Sequence, residues 1–246
     1  IVKKIAPFVH DNGLEVRILM PKFGVINERR NRLHEVVRLS GINIIIDDED
    51  HPLIIKVASL PGARIQVYFL DNEDFFKRKQ VFRDDKDVFY EDNIDRMVFF
   101  SKGVLETVKK FGWSPDIIHL HGWMTSLIPM YMKTVYAKDP VFDHTKTVFS
   151  IYEEEFTEKL KDSFLIKAKI SEDIPDEAME QLKGLDHLSL TKSAVTYADG
   201  IVWAIPNIPR KSELEEIAKD KVELEIVDDI DLAPTYLEYY NKLLSE

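Results

Sequence analysis

The sequence contains no cysteine among its 246 residues. Disulfide bonds, thiolate metal sites and cysteine nucleophiles are therefore excluded. Glycine is also scarce, with nine residues that are spread along the chain. The sequence has no Gly-x-Gly-x-x-Gly pattern, no Walker phosphate loop and no Gly-x-Ser-x-Gly nucleophile elbow. These 246 residues thus offer no glycine-rich cradle for a phosphate group.

Excess positive charge and long apolar runs are lacking too. The formal net charge is -11 at pH 7, whereas nucleic acids and anionic membranes attract basic surfaces. We therefore expect neither as a partner. The apolar run at residues 42–46 is far too short to cross a bilayer, and no signal peptide is visible. We expect a cytoplasmic protein, and the charge is compatible with a neutral ligand such as a sugar.

Predicted strands and helices alternate along much of the sequence. The clearest helix is predicted over residues 92–110, where apolar residues recur at helical spacing and Gly112 follows as a stop signal. Residues 117–120 are apolar on both faces, which is typical of a central parallel strand. Residues 34–58 are predicted to form a local antiparallel insertion. The pattern indicates an α/β fold, namely a doubly wound Rossmann-like domain with a mostly parallel central sheet and an antiparallel hairpin insertion.

The character of the sequence changes towards its end. We expect a Rossmann-like domain over residues 1–205 and an acidic helical extension, residues 206–246, packed on it. Residues 212–219 and 234–244 of this extension are predicted to be surface helices. An acidic segment joins them, around Asp228, Asp229 and Asp231.

Two histidines mark the end of the predicted central strand. Ligands in doubly wound sheets bind beyond the carboxyl ends of the strands, so the loops after Leu120, Ile151 and Ala204 are the expected places for a site. His119 and His121 point to the same side of an extended chain. His119 is interpreted as a core residue, whereas His121 at the strand tip is as easily functional as structural. The pair alone does not predict a metal site, because no further ligand lies at a familiar spacing.

Other polar residues have both structural and functional interpretations. Trp123 could stack on a sugar face or pack in the core. Asp92 or Asn93 can cap the helix that follows, but capping does not explain Arg96. The three arginines within residues 27–32 indicate a solvated loop or, alternatively, a phosphate contact.

Five segments together resemble bacterial glycogen and starch synthases. Residues 115–125 read P-D-I-I-H-L-H-G-W-M-T, which is similar to the family's P-D-I-V-H-x-H-D-W-x-T. Residues 90–100 read Y-E-D-N-I-D-R-M-V-F-F, which is similar to Y-x-D-N-x-x-R-F-x-x-F. The other matches lie at residues 12–23, 68–76 and 189–200. They follow the family order and together cover the chain from about residue 5 to residue 204.

The resemblance implies a fold of two Rossmann-like domains that face each other across a cleft, called GT-B, of which this chain matches the first. It also implies transfer of glucose from ADP-glucose, or UDP-glucose, to the terminal 4-hydroxyl of an α-1,4-glucan such as glycogen. That reaction retains the anomeric configuration and needs no metal or other cofactor. The family motifs make His121 the candidate catalytic residue. The candidate substrate-binding residues are Asp92, Asn93, Arg96, Trp123 and Tyr152, with a scaffold role open for Trp123.

The sequence departs from the family at several points. Gly122 replaces an Asp, and Tyr152 and Glu153 replace the His-Asn pair of the family's T-x-H-N motif. The family's donor-diphosphate loop would precede Ile1, and its nucleotide-binding domain would lie beyond the acidic C-terminal segment. We therefore expect this chain to be the acceptor-side half of a glucosyltransferase that lacks the donor-binding domain.

Two alternatives remain open at the level of sequence. One is a catalytically inactive glucan-binding or regulatory module, acting as a homo-oligomer or with a partner synthase subunit. The other is an α/β domain that shares only the scaffold, because fold does not fix function.

Overall fold

The computed structural model describes residues 1–153, 156–227 and 231–246. These residues form two compact units. The first comprises residues 1–111 with 232–234, and the second comprises residues 112–231 with 235–246. Each unit contains a sheet of its own. No helix within the described ranges is long and apolar enough to span a bilayer.

The first unit is built on a mixed five-stranded sheet. Its strands are β1 (Arg17–Pro21), β2 (His34–Glu35), β3 (Ile42–Ile46), β4 (Glu49–Ser59) and β5 (Gln66–Asp71). The order is β1-β5-β4-β2, and β3 also pairs with β4. Only β1 and β5 run parallel, whereas β4 pairs antiparallel with β2, β3 and β5. The predicted antiparallel hairpin insertion is thus confirmed as β3 and β4.

Three helices accompany this sheet. They are α1 (Val2–Asp11), α2 (Glu73–Phe76) and α3 (Asn93–Phe111). Helix α3 contacts β3 and β5 and buries an apolar side that includes Met97 and Leu105. It approaches the sheet closely, because a Cβ at Gly103 would lie 3.2 Å from the Leu70 side chain. The helix predicted over residues 92–110 is therefore confirmed to within one residue at each end.

The second unit contains the parallel sheet of the predicted fold. Its strands, in spatial order, are β6 (Ile117–His121), β7 (Lys146–Ile151), β8 (Gly200–Trp203) and β9 (Val222–Glu225). All neighbouring pairs run parallel. Every residue of β8 is buried, as expected for an interior strand of a parallel sheet.

Helices lie between these strands along the chain and also follow the last strand. They are α4 (Ile128–Lys133), α5 (Ser163–Ala168), α6 (Asp176–Gln181), α7 (His187–Tyr197), α8 (Ser212–Ala218) and α9 (Leu232–Ser245), of which residues from 235 onward belong to this unit. Helix α7 begins at a capping box: the Asp186 side chain accepts a hydrogen bond from the Ser189 backbone at 2.8 Å, and the Ser189 hydroxyl lies 3.1 Å from the Asp186 backbone nitrogen. These bonds satisfy donors that a helix start leaves free.

The C-terminal region differs in part from its prediction. The helices expected at residues 212–219 and 234–244 are present as α8 and α9. Strand β9 between them was not predicted, because Glu223 and Glu225 give this segment the composition of a surface turn. Asp228 and Asp229 lie outside the described residues. The expected domain boundary at residue 205 coincides with neither unit and stays a prediction.

Candidate functional site

The first group of candidate residues lies at the carboxyl ends of β6 and β7. Strand β6 ends at His121, which is in register with Ser150 of β7. Tyr152 follows Ser150 by two residues, so it continues beyond the end of the sheet on the neighbouring strand. Two of the loops that the sequence singled out are thus brought together, as parallel strands require.

His121 and Tyr152 form a hydrogen-bonded pair. The Nδ1 atom of His121 lies 2.8 Å from the Tyr152 hydroxyl. Burial lowers the pKa of His121 to about 4, so the imidazole is neutral near pH 7. Within the described part of the chain, no hydrogen bond reaches Nε2 of this ring. His121 is partly buried, and it therefore has one neutral ring nitrogen to offer to a ligand.

His119 occupies the same face of β6, two residues earlier. Its ring stacks on that of His121, with centroids 4.1 Å apart and planes 29° from parallel. Its Nδ1 lies 2.6 Å from the Tyr240 hydroxyl, and its Nε2 lies 2.8 Å from the Ser150 hydroxyl. Burial lowers the pKa of His119 well below its usual value. Both nitrogens are engaged, in agreement with the interpretation of His119 as a satisfied internal residue.

Among the residues that the structure describes, no group of three or more His, Cys, Asp or Glu side chains could hold a metal ion.

Gly122 turns the chain from the strand into a short 3₁₀ helix, Trp123–Thr125. It adopts φ 79° and ψ 160°, a region that is essentially restricted to glycine. Trp123 is only 3% exposed, and its ring meets Phe156 edge-on at 5.2 Å. The role of Trp123 in sugar binding stays a prediction, and its burial favours the scaffold role.

A small cavity of about 20 Å³ adjoins Tyr152. Side chains from the start of α7 and from the loop before α8 line it, among them His187, Thr191 and Pro209. A volume of this size can hold one water molecule but not a sugar ring. A sugar in this region would therefore have to bind at the open edge of the sheet.

The second group of candidate residues lies in the first unit, at the start of α3. Asp92 pairs with Arg78 through both carboxylate oxygens, with one Nη1–Oδ1 distance of 2.9 Å. The Asn93 side chain donates to the Phe82 carbonyl at 2.8 Å and accepts from Arg96 Nη1 at 2.5 Å. No local pattern in the sequence points to Arg78, because its pairing with Asp92 spans 14 residues of irregular chain.

Arg96 is 1% exposed and is surrounded by aromatic rings. Its guanidinium carbon lies 5.7 Å from the centre of the Phe23 ring, 5.3 Å from that of Phe76 and 5.6 Å from that of Tyr90. Burial lowers the pKa of Arg96 to about 10, so it remains a cation at pH 7. The bond to Asn93 and these rings explain what capping alone did not: Arg96 braces the start of α3.

The remaining polar motifs have local explanations. Asn72 caps α2 by accepting from the backbone of Asp74 at 3.0 Å, and Asp71 pairs with Lys56 at 2.8 Å. The arginines within residues 27–32 are exposed. The structure thus brings His121 next to Tyr152 in one unit and Asp92, Asn93 and Arg96 together in the other.

Comparisons with known proteins agree on one family. A family model described as the starch synthase catalytic domain matches residues 1–209. A glycogen synthase from Pelodictyon phaeoclathratiforme is 40% identical over 202 residues, covering 79% of this chain and 41% of the relative. A glycogen synthase from Chlorobium chlorochromatii is 40% identical over 206 residues, covering 78% of this chain and 41% of the relative. The chain thus spans about two fifths of the length of these relatives.

One solved structure is similar in fold. It is the catalytic domain of starch synthase IV from Arabidopsis thaliana, bound to ADP and acarbose. The TM-score is 0.70 at 19% identity, and the match covers 93% of this chain and 48% of that chain. This likeness confirms the predicted α/β fold.

Proposed function

Since the chain belongs to the starch synthase catalytic domain family, we propose that it is the acceptor-side half of a glucosyltransferase and that it binds an α-1,4-glucan. The observation that carries this proposal is the family match over residues 1–209, within which His121 occupies the histidine position of the H-x-H-D-W motif. In this reaction the bond between glucose C1 and the donor's diphosphate breaks. A bond from C1 to the glucan O4 forms, the hydroxyl proton is released, and ADP or UDP leaves.

The chemistry of His121 suits a neutral ligand. A sugar hydroxyl can both donate and accept hydrogen bonds, and a neutral imidazole nitrogen is an adequate partner in either role. The Tyr152 hydroxyl at 2.8 Å engages Nδ1 and leaves Nε2 for the sugar. Because the pKa of His121 is lowered to about 4, we assign this residue a binding and orienting role beside the transferred glucose rather than that of a cationic acid.

The leaving diphosphate has a different requirement. Its developing negative charge needs cations or oriented backbone dipoles, and the pair His121–Tyr152 supplies no charge. We therefore propose that the donor, ADP-glucose or UDP-glucose, is held by groups other than this pair. The starch synthase IV structure is bound to ADP and acarbose, which supports a sugar nucleotide and a glucan as the ligands to test.

A second function is favoured by one specific feature. Tyr152 and Glu153 stand where the family has a His-Asn pair, so this edge of the sheet is altered at two adjacent positions. A domain with this change could retain glucan binding without transferring glucose. The chain would then be a glucan-binding or regulatory module that acts on a partner synthase or as a homo-oligomer.

Transfer of labelled glucose to glycogen and binding of a short glucan together test the two functions. The purified chain would be assayed with ADP-glucose and with UDP-glucose, and binding of maltoheptaose would be measured by calorimetry. The variant His121→Ala tests the site, and His144→Ala is the matched control, because His144 is an exposed histidine of the same unit. Transfer that falls at least about 10-fold in His121→Ala and not in His144→Ala would support the transferase.

Maltoheptaose binding without transfer by the chain alone would support glucan binding and fit both the acceptor-side half and the glucan-binding module. A chain that neither binds maltoheptaose nor transfers glucose would overturn both forms of the proposal.

A further inference from the structure

The last helix, α9, follows the residues that the family model matches. It carries three tyrosines, Tyr236, Tyr239 and Tyr240, whose spacing places them on one face of a helix. All three are buried, at 0%, 4% and 9% exposure. Buried hydroxyl groups need hydrogen-bond partners, so the partners of Tyr239 and Tyr240 indicate what α9 does in the second unit.

Tyr239 fixes α9 to the parallel sheet. Its hydroxyl lies 3.0 Å from the Val222 carbonyl and 3.3 Å from the Ile201 carbonyl, which belong to the neighbouring strands β9 and β8. The hydroxyl fits because residue 200 is glycine: a Cβ there would lie 2.3 Å from the Tyr239 oxygen. The position of α9 on this sheet is therefore set by a specific steric and hydrogen-bonded fit.

Tyr240, one residue later, reaches His119 on β6. Its hydroxyl lies 2.6 Å from His119 Nδ1, and the two rings meet edge-on with centroids 5.6 Å apart. Burial raises the pKa of Tyr240, so the hydroxyl keeps its proton and can donate it to the imidazole. The Tyr236 ring lies 5.7 Å from the same imidazole.

The restraint on His119 extends to His121. With Ser150 at 2.8 Å from Nε2, the His119 ring is hydrogen-bonded at both nitrogens and cannot rotate freely. His121 stacks on this restrained ring at 4.1 Å, and its Nδ1 is bonded to the Tyr152 hydroxyl. The direction of His121 Nε2 is therefore set by a ring contact and a hydrogen bond.

We propose that Tyr240 is a positioning residue that acts through His119 to orient the imidazole of His121 towards a glucan hydroxyl. Helix α9 is then a functional part of the site rather than a surface appendage. The identity of the ligand rests on the proposed glucan-binding function, whereas the restraint on His121 rests only on the contacts within the second unit.

The test removes the Tyr240 hydroxyl with the variant Tyr240→Phe. Two quantities are measured: the side-chain ¹⁵N shifts of His119 and His121 by NMR, and the affinity for maltoheptaose. The matched control is Tyr131→Phe, which deletes another buried tyrosine hydroxyl of the same unit, bonded to the Ala168 carbonyl at 2.9 Å. A second variant, Ser150→Ala, releases the other nitrogen of His119.

We expect Tyr240→Phe and Ser150→Ala to change the ¹⁵N shifts of both histidines and to weaken maltoheptaose binding about 3-fold, because a neutral hydrogen bond contributes modestly. Tyr131→Phe should change neither quantity, although it loses a comparable bond. Unchanged His121 signals in Tyr240→Phe and Ser150→Ala would overturn the positioning role. If the unaltered chain fails to bind maltoheptaose, the glucan proposal fails, and the histidine signals of the free variants still decide the role of Tyr240.

Discussion

The polar group of the first unit is built from charges, whereas that of the second unit is neutral. Arg96 remains a cation with a pKa of about 10, beside an Asp92 that is already paired with Arg78. His121 is uncharged, with a pKa of about 4, and only its Nδ1 is engaged by a described residue. A buried charge must be compensated by the groups around it, so the polar atoms of the first group are already engaged with one another. We therefore predict that the glucan binds at the uncommitted Nε2 of His121 rather than at the paired charges of the first unit.

The largest effect is expected from removing the buried charge. Arg96→Ala should lower the free energy of unfolding by about 2–4 kcal/mol, because it deprives the Asn93 side chain of a donor and opens a cavity among aromatic rings. Urea unfolding followed by circular dichroism measures this loss. The exposed Arg38→Ala should change stability by less than about 0.5 kcal/mol. Equal stability of the two variants would show that Arg96 is not a structural brace, and a direct ligand contact would then gain support.

A backbone effect in the second unit should come next. Gly122→Ala should lower the free energy of unfolding by about 1–3 kcal/mol, since φ 79° and ψ 160° suit only glycine. Gly122→Asp, which introduces the Asp of the family motif, should have a similar effect. Gly112, at φ 63°, directly follows α3, where helices commonly end on a left-handed residue, a conformation that other residues enter at less cost. Thermal unfolding of Gly122→Ala and Gly112→Ala compares the two positions. A Gly122→Asp variant as stable as the original chain would mean that this turn can adopt the family's conformation.

The sequence predicted the features that depend on local interactions better than those that depend on contacts between distant residues. Helix α3 and strand β6 were predicted closely, because their apolar periodicity is local information. Strand β9 was missed, because its glutamates conceal a strand that forms only when β8 lies beside it. The loops after β6 and β7 were singled out as places for a site, and the parallel pairing of these strands brings them to the same edge of the sheet. The contact of Tyr240 with His119 spans 121 residues, and no local pattern encodes it.

Because His119 and His121 are neutral in the folded state, the free energy of unfolding depends on pH. The folded-state pKa of His121 is lowered from 6.5 to about 4, and that of His119 is lowered too. Below pH 6.5 the unfolded chain binds protons that the folded chain does not, so stability is complete above this pH and falls as the pH drops towards 4. We expect His121 to account for a loss of about 2 kcal/mol between pH 7 and pH 5.

Urea unfolding at pH 7 and at pH 5 measures this loss, and His121→Gln should reduce the difference between the two values. His119 lies beside the Tyr240 and Ser150 hydroxyls and the His121 imidazole, and its pKa is lowered too, so it should act in the same direction. A His121→Gln variant with an undiminished pH dependence would contradict the assignment of a buried neutral His121.

The smallest expected effects are on maltoheptaose affinity, for which one variant from each group is compared. Tyr152→Phe removes the hydroxyl from His121 Nδ1 and should weaken maltoheptaose binding about 5-fold, the value of one neutral hydrogen bond. Asp92→Asn breaks a pair whose side chains are both 33% exposed, so it should cost less than about 1 kcal/mol of stability and leave the affinity within about 2-fold. Calorimetry on both variants gives the two affinities directly. If Asp92→Asn weakens binding more than Tyr152→Phe does, the charged group contacts the glucan despite its internal pairing. A polar atom without an intramolecular partner, such as His121 Nε2, would then not indicate where the glucan binds.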